Sequence, residues 1–218
     1  MEIDTRTITI DDWVLRIREP KGAGPHPVVL LLHGWTGDEN SMWIFASRLP
    51  EHYLLIAPRG LHESPIGGYS WYPMNGQSWP TLDDFRPAAT ALIELIDDWP
   101  ASASPNADFS DLRLAGFSQG AAMAYAFTLI HPERVRALAG LAGFLPETTS
   151  LAVYGNVLEG MSVYVSHGTR DEHVPIERAR TAVQFLSKVG AEVTYCESDA
   201  GHKLSADCFR GMEVFFQK

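Results

Sequence analysis

The chain has 218 residues, of which 45% are hydrophobic and 20% are charged, and its formal net charge at pH 7 is −10. This composition is that of an ordinary globular protein, and the length fits one domain over residues 1–218. The negative charge argues against nucleic acid and against an anionic membrane surface as partners. No apolar run is long enough to cross a bilayer, so we expect no membrane association.

The N-terminal segment and the cysteines predict the compartment. The first residues are acidic where a secretory signal would be basic and then apolar. Two cysteines, Cys196 and Cys208, are too few for the disulfide framework of a small secreted domain. We therefore expect two reduced thiols in a cytoplasmic protein.

Strand-like and helix-like segments alternate along the chain. Residues 6–10 and 13–19 alternate in polarity and predict an N-terminal antiparallel hairpin. Continuous apolar runs predict strands buried on both faces, and they span residues 26–34, 53–60, 112–118, 135–143, 161–168 and 191–198. Helical patterns span residues 81–99, 176–190 and 208–217, and an alanine-rich stretch follows residue 118. The order predicts an α/β fold, a mostly parallel twisted sheet with helices on both faces.

Ser118 stands between Gly116 and Gly120, where a predicted strand meets the alanine-rich helix. Because Gly-x-Ser-x-Gly also occurs by chance, the strand and helix around it carry the inference. A serine on such a sharp turn adopts a crowded backbone conformation, which leaves no room for bulk two residues away. The context favours a nucleophile over a glycine turn with an incidental serine.

A serine hydroxyl needs a base, and the base needs a group that orients it. His202 lies in a loop beyond the last predicted strand, on the sheet edge where Ser118 is expected. The acid should come between serine and histidine in chain order. Asp171 is our choice in the loop after residues 161–168, and Glu172 is the alternative.

Negative charge that develops during acyl transfer needs preorganised donors. The backbone N–H groups of Gln119 and Trp35 are the candidates for this oxyanion hole. A metal site built from His33, His167 and His173 has no recognised ligand spacing behind it. We expect neither a metal nor another cofactor.

Five motifs, in order and spacing, resemble the carboxylesterase and acyl-protein thioesterase family of α/β-hydrolases. They are LLHGWTGDE, APRG, GFSQGAAMA, SHGTRDEHVP and DAGHKLS, between about residue 26 and the C-terminus. The resemblance implies an α/β-hydrolase fold and hydrolysis of esters or thioesters by Ser118, Asp171 and His202, with Trp35 and Gln119 as the oxyanion hole. The family usually has a compact His-Gly-x-Gly-Asp loop, whereas residues 33–38 here are longer and bulkier. Thioesterase activity on lipidated proteins is therefore the less expected of the two activities.

Residues 66–80 combine aromatic side chains with glycine and proline, which is typical of a shaped loop along a pocket. The expected substrate-binding residues are Trp71, Tyr72, Trp79 and Phe144. The alternative is that these rings only attach a long loop to the body of the domain. The longest connections, residues 61–81 and 146–160, lack the amphipathic stripe of a lid helix, so no large lid is expected.

The sequence thus predicts a serine hydrolase that cleaves carboxylic esters, or thioesters, of small to medium apolar acyl or aryl groups through an acyl-enzyme. Its partner would be a small-molecule ester. The alternative is a ligand-sensing or interaction protein that keeps the fold with little turnover. The oligomeric state stays open between a monomer and a homodimer.

Overall fold

The computed structural model describes residues 4–74, 78–147 and 155–217. The strands are β1 (Arg6–Ile10), β2 (Trp13–Arg18), β3 (His26–Leu32), β4 (Leu54–Pro58), β5 (His62–Glu63), β6 (Tyr69–Ser70), β7 (Ala107–Phe117), β8 (Val135–Leu141), β9 (Ser162–Gly168) and β10 (Glu192–Ser198). The α-helices are α1 (Trp43–Ala46), α2 (Leu82–Asp97), α3 (Gln119–Ile130), α4 (Ile176–Lys188) and α5 (Ala206–Phe216). No helix among these residues is both long and apolar enough to cross a membrane.

Eight strands form one sheet in the order β1-β2-β4-β3-β7-β8-β9-β10. The β1–β2 and β2–β4 pairs are antiparallel, and the pairs from β4 through β3 to β10 are parallel. The predicted mostly parallel sheet with an N-terminal hairpin is confirmed, and all six predicted strands are present. Strand β10 was wrongly expected to be buried on both faces, because it is the edge strand and its residues are exposed or half-buried. Strand β7 begins at Ala107 rather than at Leu112, where the apolar run starts.

Helices cover both faces of the sheet, which is why the central strands are apolar throughout. In β3, Leu30 and Leu32 join the core with α2, α3 and α4, whereas Val29 and Leu31 join the core with α1 and α5. All four side chains are at most 1% exposed. Helix α3 is buried along most of its length, and its small alanines permit this close packing.

A disulfide joins Cys196 in β10 to Cys208 in α5, with the Cα atoms 5.6 Å apart. The prediction of two reduced thiols was wrong, because only the packing of α5 beside β10 brings the two side chains together. The thiol argument for a cytoplasmic location is lost with it, since disulfides persist mainly in oxidising compartments.

The long connection between β4 and α2 contains the small hairpin β5–β6, which the sequence did not predict. Residues 61–74 and 78–81 of this connection contain no helix that could serve as a lid. Part of the second long connection, residues 148–154, lies outside the described residues.

Candidate active site

A cavity of about 680 Å³ opens where the sheet presents the carboxyl ends of its parallel strands. Trp35, Ser118, Gln119 and His202 line it. The structure therefore brings the predicted nucleophile, the predicted base and both residues of the predicted oxyanion hole to one cavity.

Ser118 occupies a strained turn between β7 and α3. Its φ is 55° and its ψ is −118°, a conformation that costs free energy for any residue other than glycine. Its N–H donates to the carbonyl oxygen of Leu141 in the neighbouring strand at 2.8 Å. The turn places the serine at the start of α3 and on the wall of the cavity.

Glycines around Ser118 allow backbone segments to pack where a side chain would collide. A Cβ atom on Gly120 would lie 2.0 Å from the carbonyl oxygen of Leu32, and one on Gly116 would lie 2.2 Å from that of Gly120. A Cβ atom on Gly143 would lie 2.3 Å from the Cβ atom of Ala121. The glycines of the motif are therefore required by steric contacts among β3, β7 and α3.

Asp171 is the acidic partner of His202. The His202 Nδ1 and Asp171 Oδ2 atoms are 2.7 Å apart, and the Asp171 side chain is fully buried. Asp171 Oδ1 accepts hydrogen bonds from the backbone N–H groups of His173 and Val174, each at 2.9 Å. Glu172, the alternative acid, is exposed.

The environment of Asp171 keeps its carboxylate ionised. Burial alone would raise the pKa, but the hydrogen bonds from Val174, His202 and His173 outweigh burial and hold the Asp171 pKa below its ordinary value. The buried carboxylate is thus an acceptor for a proton on Nδ1 of His202 and orients the ring.

His167 is a second histidine against Asp171, with Nε2 3.3 Å from Asp171 Oδ2. Nε2 lies 2.8 Å from the Val174 carbonyl oxygen, to which it donates in its neutral form. Burial lowers the His167 pKa. His167 thus fastens the loop that carries Asp171, a role that sequence reasoning missed because it tested this histidine only as a metal ligand.

The loops that carry Asp171 and His202 are joined by their backbones. Thr169 N–H donates to Ser198 O at 2.8 Å, and Arg170 N–H donates to Ala200 O at 2.9 Å. A Cβ atom on Gly168 would lie 2.3 Å from Ala200 O, so the two loops touch directly. The disulfide closes the far side of the His202 loop, between β10 and α5.

The turn after β3 positions the backbone of Trp35. Thr36 N–H donates to Tyr69 O at 3.0 Å, and Tyr69 N–H donates to Gly37 O at 2.9 Å, so the β5–β6 hairpin supports this turn. Gln119 N–H belongs to the first turn of α3, where backbone N–H groups have no acceptor within the helix. Both amides are thus on segments that other parts of the site hold in place.

His33 braces the same region and does not face the cavity. Its Nε2 accepts from Gly60 N–H at 2.8 Å, and its Nδ1 lies 2.7 Å from Gly34 O, so the ring connects the ends of β3 and β4. Burial lowers its pKa, which keeps the ring neutral. Among residues 4–74, 78–147 and 155–217, no three His, Cys, Asp or Glu side chains are grouped to ligate a metal.

Three of the four residues predicted to bind substrate line the cavity, namely Tyr72, Trp79 and Phe144. Trp71 does not, and that expectation is corrected. Its side chain is 0% exposed, and its indole N–H donates to the His33 carbonyl oxygen at 2.7 Å. Ile66 and Met74 of the predicted pocket loop also line the cavity. His173 and Val174 are wall residues that the sequence did not predict to bind substrate.

A sequence model of the phospholipase/carboxylesterase family matches residues 15–218. The acyl-protein thioesterase 1 of Kluyveromyces lactis is 27% identical over 188 residues, which are 74% of this chain and 76% of that protein. A probable inactive carboxylesterase of Oryza sativa is 29% identical over 143 residues, which are 62% of this chain and 57% of the relative. The chain spans about half the length of several curated relatives that it matches.

Solved structures share the fold over nearly the whole chain. A carboxylesterase from Mesorhizobium loti superposes with a TM-score of 0.83 at 21% identity and covers 98% of both chains. The Bacillus cereus carboxylesterase gives a TM-score of 0.81 at 20% identity, over 93% of this chain and 92% of that one. The architecture is that of an α/β-hydrolase. Because the family model extends from β2 to the C-terminus, the chain belongs to the phospholipase/carboxylesterase family.

Proposed function

We propose that the protein is a serine hydrolase that cleaves carboxylic esters of small to medium apolar acyl or aryl groups. One observation carries the proposal. A serine in a strained turn at the start of a helix lines the same cavity as a histidine that is hydrogen-bonded to a buried carboxylate. This is the arrangement that serine acyl transfer requires.

In the proposed reaction, Ser118 Oγ attacks the ester carbonyl carbon while His202 Nε2 accepts the hydroxyl proton. Asp171 holds the ring and stabilises its positive charge. The carbonyl oxygen becomes an oxyanion, which the N–H groups of Trp35 and Gln119 stabilise. His202 then protonates the departing alkoxy oxygen, the C–O bond breaks, and an acyl-enzyme remains. Water, deprotonated by the same histidine, releases the acid and restores Ser118.

The cavity wall supports an uncharged apolar substrate. Ile66, Met74, Trp79 and Phe144 contribute apolar surface, and the described wall residues include no Lys, Arg, Asp or Glu. The volume of about 680 Å³ lies in the range that accommodates small organic ligands. The relationship to an acyl-protein thioesterase supports thioesters as a second substrate class. No step of this mechanism needs a cofactor.

The second candidate function is a ligand-binding protein with little turnover. A relative of this chain is named a probable inactive carboxylesterase, and this name motivates the second candidate. Against this candidate stands the His202–Asp171 hydrogen bond of 2.7 Å, because a protein without turnover has no need of an oriented base. A cytoplasmic location remains a prediction, and the Cys196–Cys208 disulfide removes the support of reduced thiols.

One experiment separates the two candidates. The wild-type protein and Ser118→Ala are incubated with a fluorophosphonate probe and, separately, with p-nitrophenyl esters from acetate to palmitate. We expect rapid labelling and turnover in the wild type, and a loss of kcat of about 10³ to 10⁶-fold in the variant with an unchanged circular dichroism spectrum. Retention of more than a tenth of the activity in the variant would disprove the assignment of Ser118.

A further inference from the structure

Trp79 and Phe144 form one side of the cavity, and residues outside the cavity contact this side. The two rings meet edge to face, with centroids 4.7 Å apart, and both line the cavity. Phe144 is 6% exposed. We call the Trp79 and Phe144 rings the aromatic wall.

The backbones that carry the aromatic wall are paired with each other. Glu147 N–H donates to Pro80 O at 2.9 Å, and Leu82 N–H donates to Glu147 O at 3.0 Å. These two bonds hold residues 80–82 beside Glu147, three residues after Phe144. The backbone is therefore held, and the remaining freedom of the wall is that of the Trp79 side chain.

Arg178, on the first turn of α4, contacts the Trp79 side chain. Its guanidinium carbon lies 4.3 Å from the centroid of the indole, and its Nη1 lies 3.4 Å from Glu147 Oε1. A planar guanidinium over an indole face is a favourable cation–π arrangement. Arg178 itself is not a wall residue of the cavity.

We propose that Arg178 is a positioning residue that sets the size limit of the substrate group, because it holds Trp79 against Phe144. The inference rests on the proposed ester hydrolysis. The group that meets the aromatic wall is an apolar substituent of the ester, and it belongs either to the acyl or to the alkoxy half. Arg178 acts through Trp79 and contacts no reacting atom.

The backbone of Arg178 is also bonded to the loop that carries Asp171. Arg178 N–H donates to Pro175 O at 2.9 Å, and Val174, the residue before Pro175, both lines the cavity and donates its N–H to Asp171. The aromatic wall is thus fixed to the same segment that orients Asp171. A substituent that fits against Trp79 is placed at a defined distance from the reacting centre.

The test compares two substrate series, p-nitrophenyl butyrate with octanoate, and butyl with octyl acetate. The readout is the ratio of kcat/KM for the long member to that for the short member. In Trp79→Ala we expect the ratio to rise about tenfold in one series, because the wall recedes. In Arg178→Gln we expect a rise of about threefold in that same series, since Trp79 loses its cation–π partner. The series that responds identifies the half of the ester that meets the wall.

Arg180→Gln is the matched control, because Arg180 lies on the same helix and pairs with Glu197, away from the indole. Its ratio should equal that of the wild type. Should Arg178→Gln fail to fold, Glu147→Gln removes the ion pair from outside the cavity and should raise the ratio in the same direction.

Three outcomes overturn the inference while the proposed function stands. They are an unchanged ratio in Arg178→Gln, an equal loss on every ester, and an equal rise in Arg180→Gln. A wild-type protein that hydrolyses no member of either series overturns the proposed function and this inference together.

Discussion

The two halves of the site are held in place by different forces. Around Ser118, glycines let backbone segments approach so closely that a Cβ atom on Gly120 would lie 2.0 Å from a carbonyl oxygen. Around His202 and Asp171, hydrogen bonds between the loops and a disulfide hold the segments in place. A Cβ atom on Gly201 would meet nothing closer than 3.8 Å. Close backbone packing thus positions Ser118, the proposed nucleophile, whereas hydrogen bonds are the main contacts that position the proposed acid and base. The serine half should therefore tolerate no added bulk at Gly120. The other half should tolerate a methyl group at Gly201, although not at Gly168, where the two loops touch.

The largest effect should come from added bulk in the serine half. Gly120→Ala forces a methyl group against the backbone of β3, so we expect a loss of at least about 4 kcal/mol in the free energy of unfolding. Activity should fall with it, because Ser118 is displaced. Urea unfolding and ester turnover measure both effects.

Gly201→Ala, beside His202, is the control and should cost less than about 1 kcal/mol. A similar loss in both variants would remove the distinction between the two halves.

The next effect tests directional bonding in the other half. In Asp171→Asn the single side-chain oxygen must accept the backbone N–H groups of His173 and Val174, so the NH₂ group faces His202 Nδ1. An NH₂ donor there favours the His202 tautomer with the proton on Nε2, which cannot accept a proton from Ser118. We expect kcat to fall by about 10² to 10⁴-fold with the fold retained.

Glu172→Gln alters an exposed neighbour and should change kcat less than twofold. If Glu172→Gln were the more damaging variant, Asp171 would not be the acid.

The disulfide should matter for stability more than for chemistry. Cys196→Ala combined with Cys208→Ala opens a link between residues 12 apart, which should lower the free energy of unfolding by about 3 kcal/mol. Because the backbone bonds to Ser198 and Ala200 remain, kcat should fall less than tenfold. Wild-type protein unfolded in urea with dithiothreitol should match the variant. Equal stability with and without the reductant would contradict this expectation.

The most gradual effect is a dependence of stability on pH between 7.5 and 5. His33 and His167 are buried, and burial lowers the pKa of each below the 6.5 of an exposed histidine. Below pH 6.5 the unfolded chain therefore binds protons that the folded protein does not. The free energy of unfolding should fall by up to about 1.4 kcal/mol per pH unit for each histidine. Burial lowers the pKa of His131 as well. His33→Gln removes one of these groups and should reduce the slope of the free energy of unfolding, measured in urea, against pH.

The sequence predicted those parts of the molecule that a local pattern specifies. The central strands are buried on both faces, so each is a continuous apolar run, and the parallel order places Ser118, Asp171 and His202 at one edge of the sheet. The β5–β6 hairpin escaped notice because each strand has two residues. It is held by its contact with the Trp35 turn rather than by its own periodicity.

The errors also have a physical cause. The disulfide depends on the packing of α5 beside β10, and no spacing rule for two cysteines reports that packing. Trp71 was expected on the cavity wall because it lies among aromatic neighbours. Its position is set instead by two buried acceptors, His33 O and Gln119 Oε1, which are distant in sequence. A single residue of register in an irregular loop decides whether a ring faces a ligand or the core.

The lack of lysine and arginine among the described wall residues has a consequence for the end of the proposed reaction. Ester hydrolysis converts a neutral substrate into a carboxylic acid, which is ionised at neutral pH. Among the described wall residues there is no Lys or Arg to retain the new anion, and the protein as a whole carries a formal charge of −10. The net negative charge therefore repels the product acid, and no lysine or arginine among the described wall residues offsets that repulsion. Product departure should be fast, and the acid should be a poor inhibitor of the enzyme that makes it.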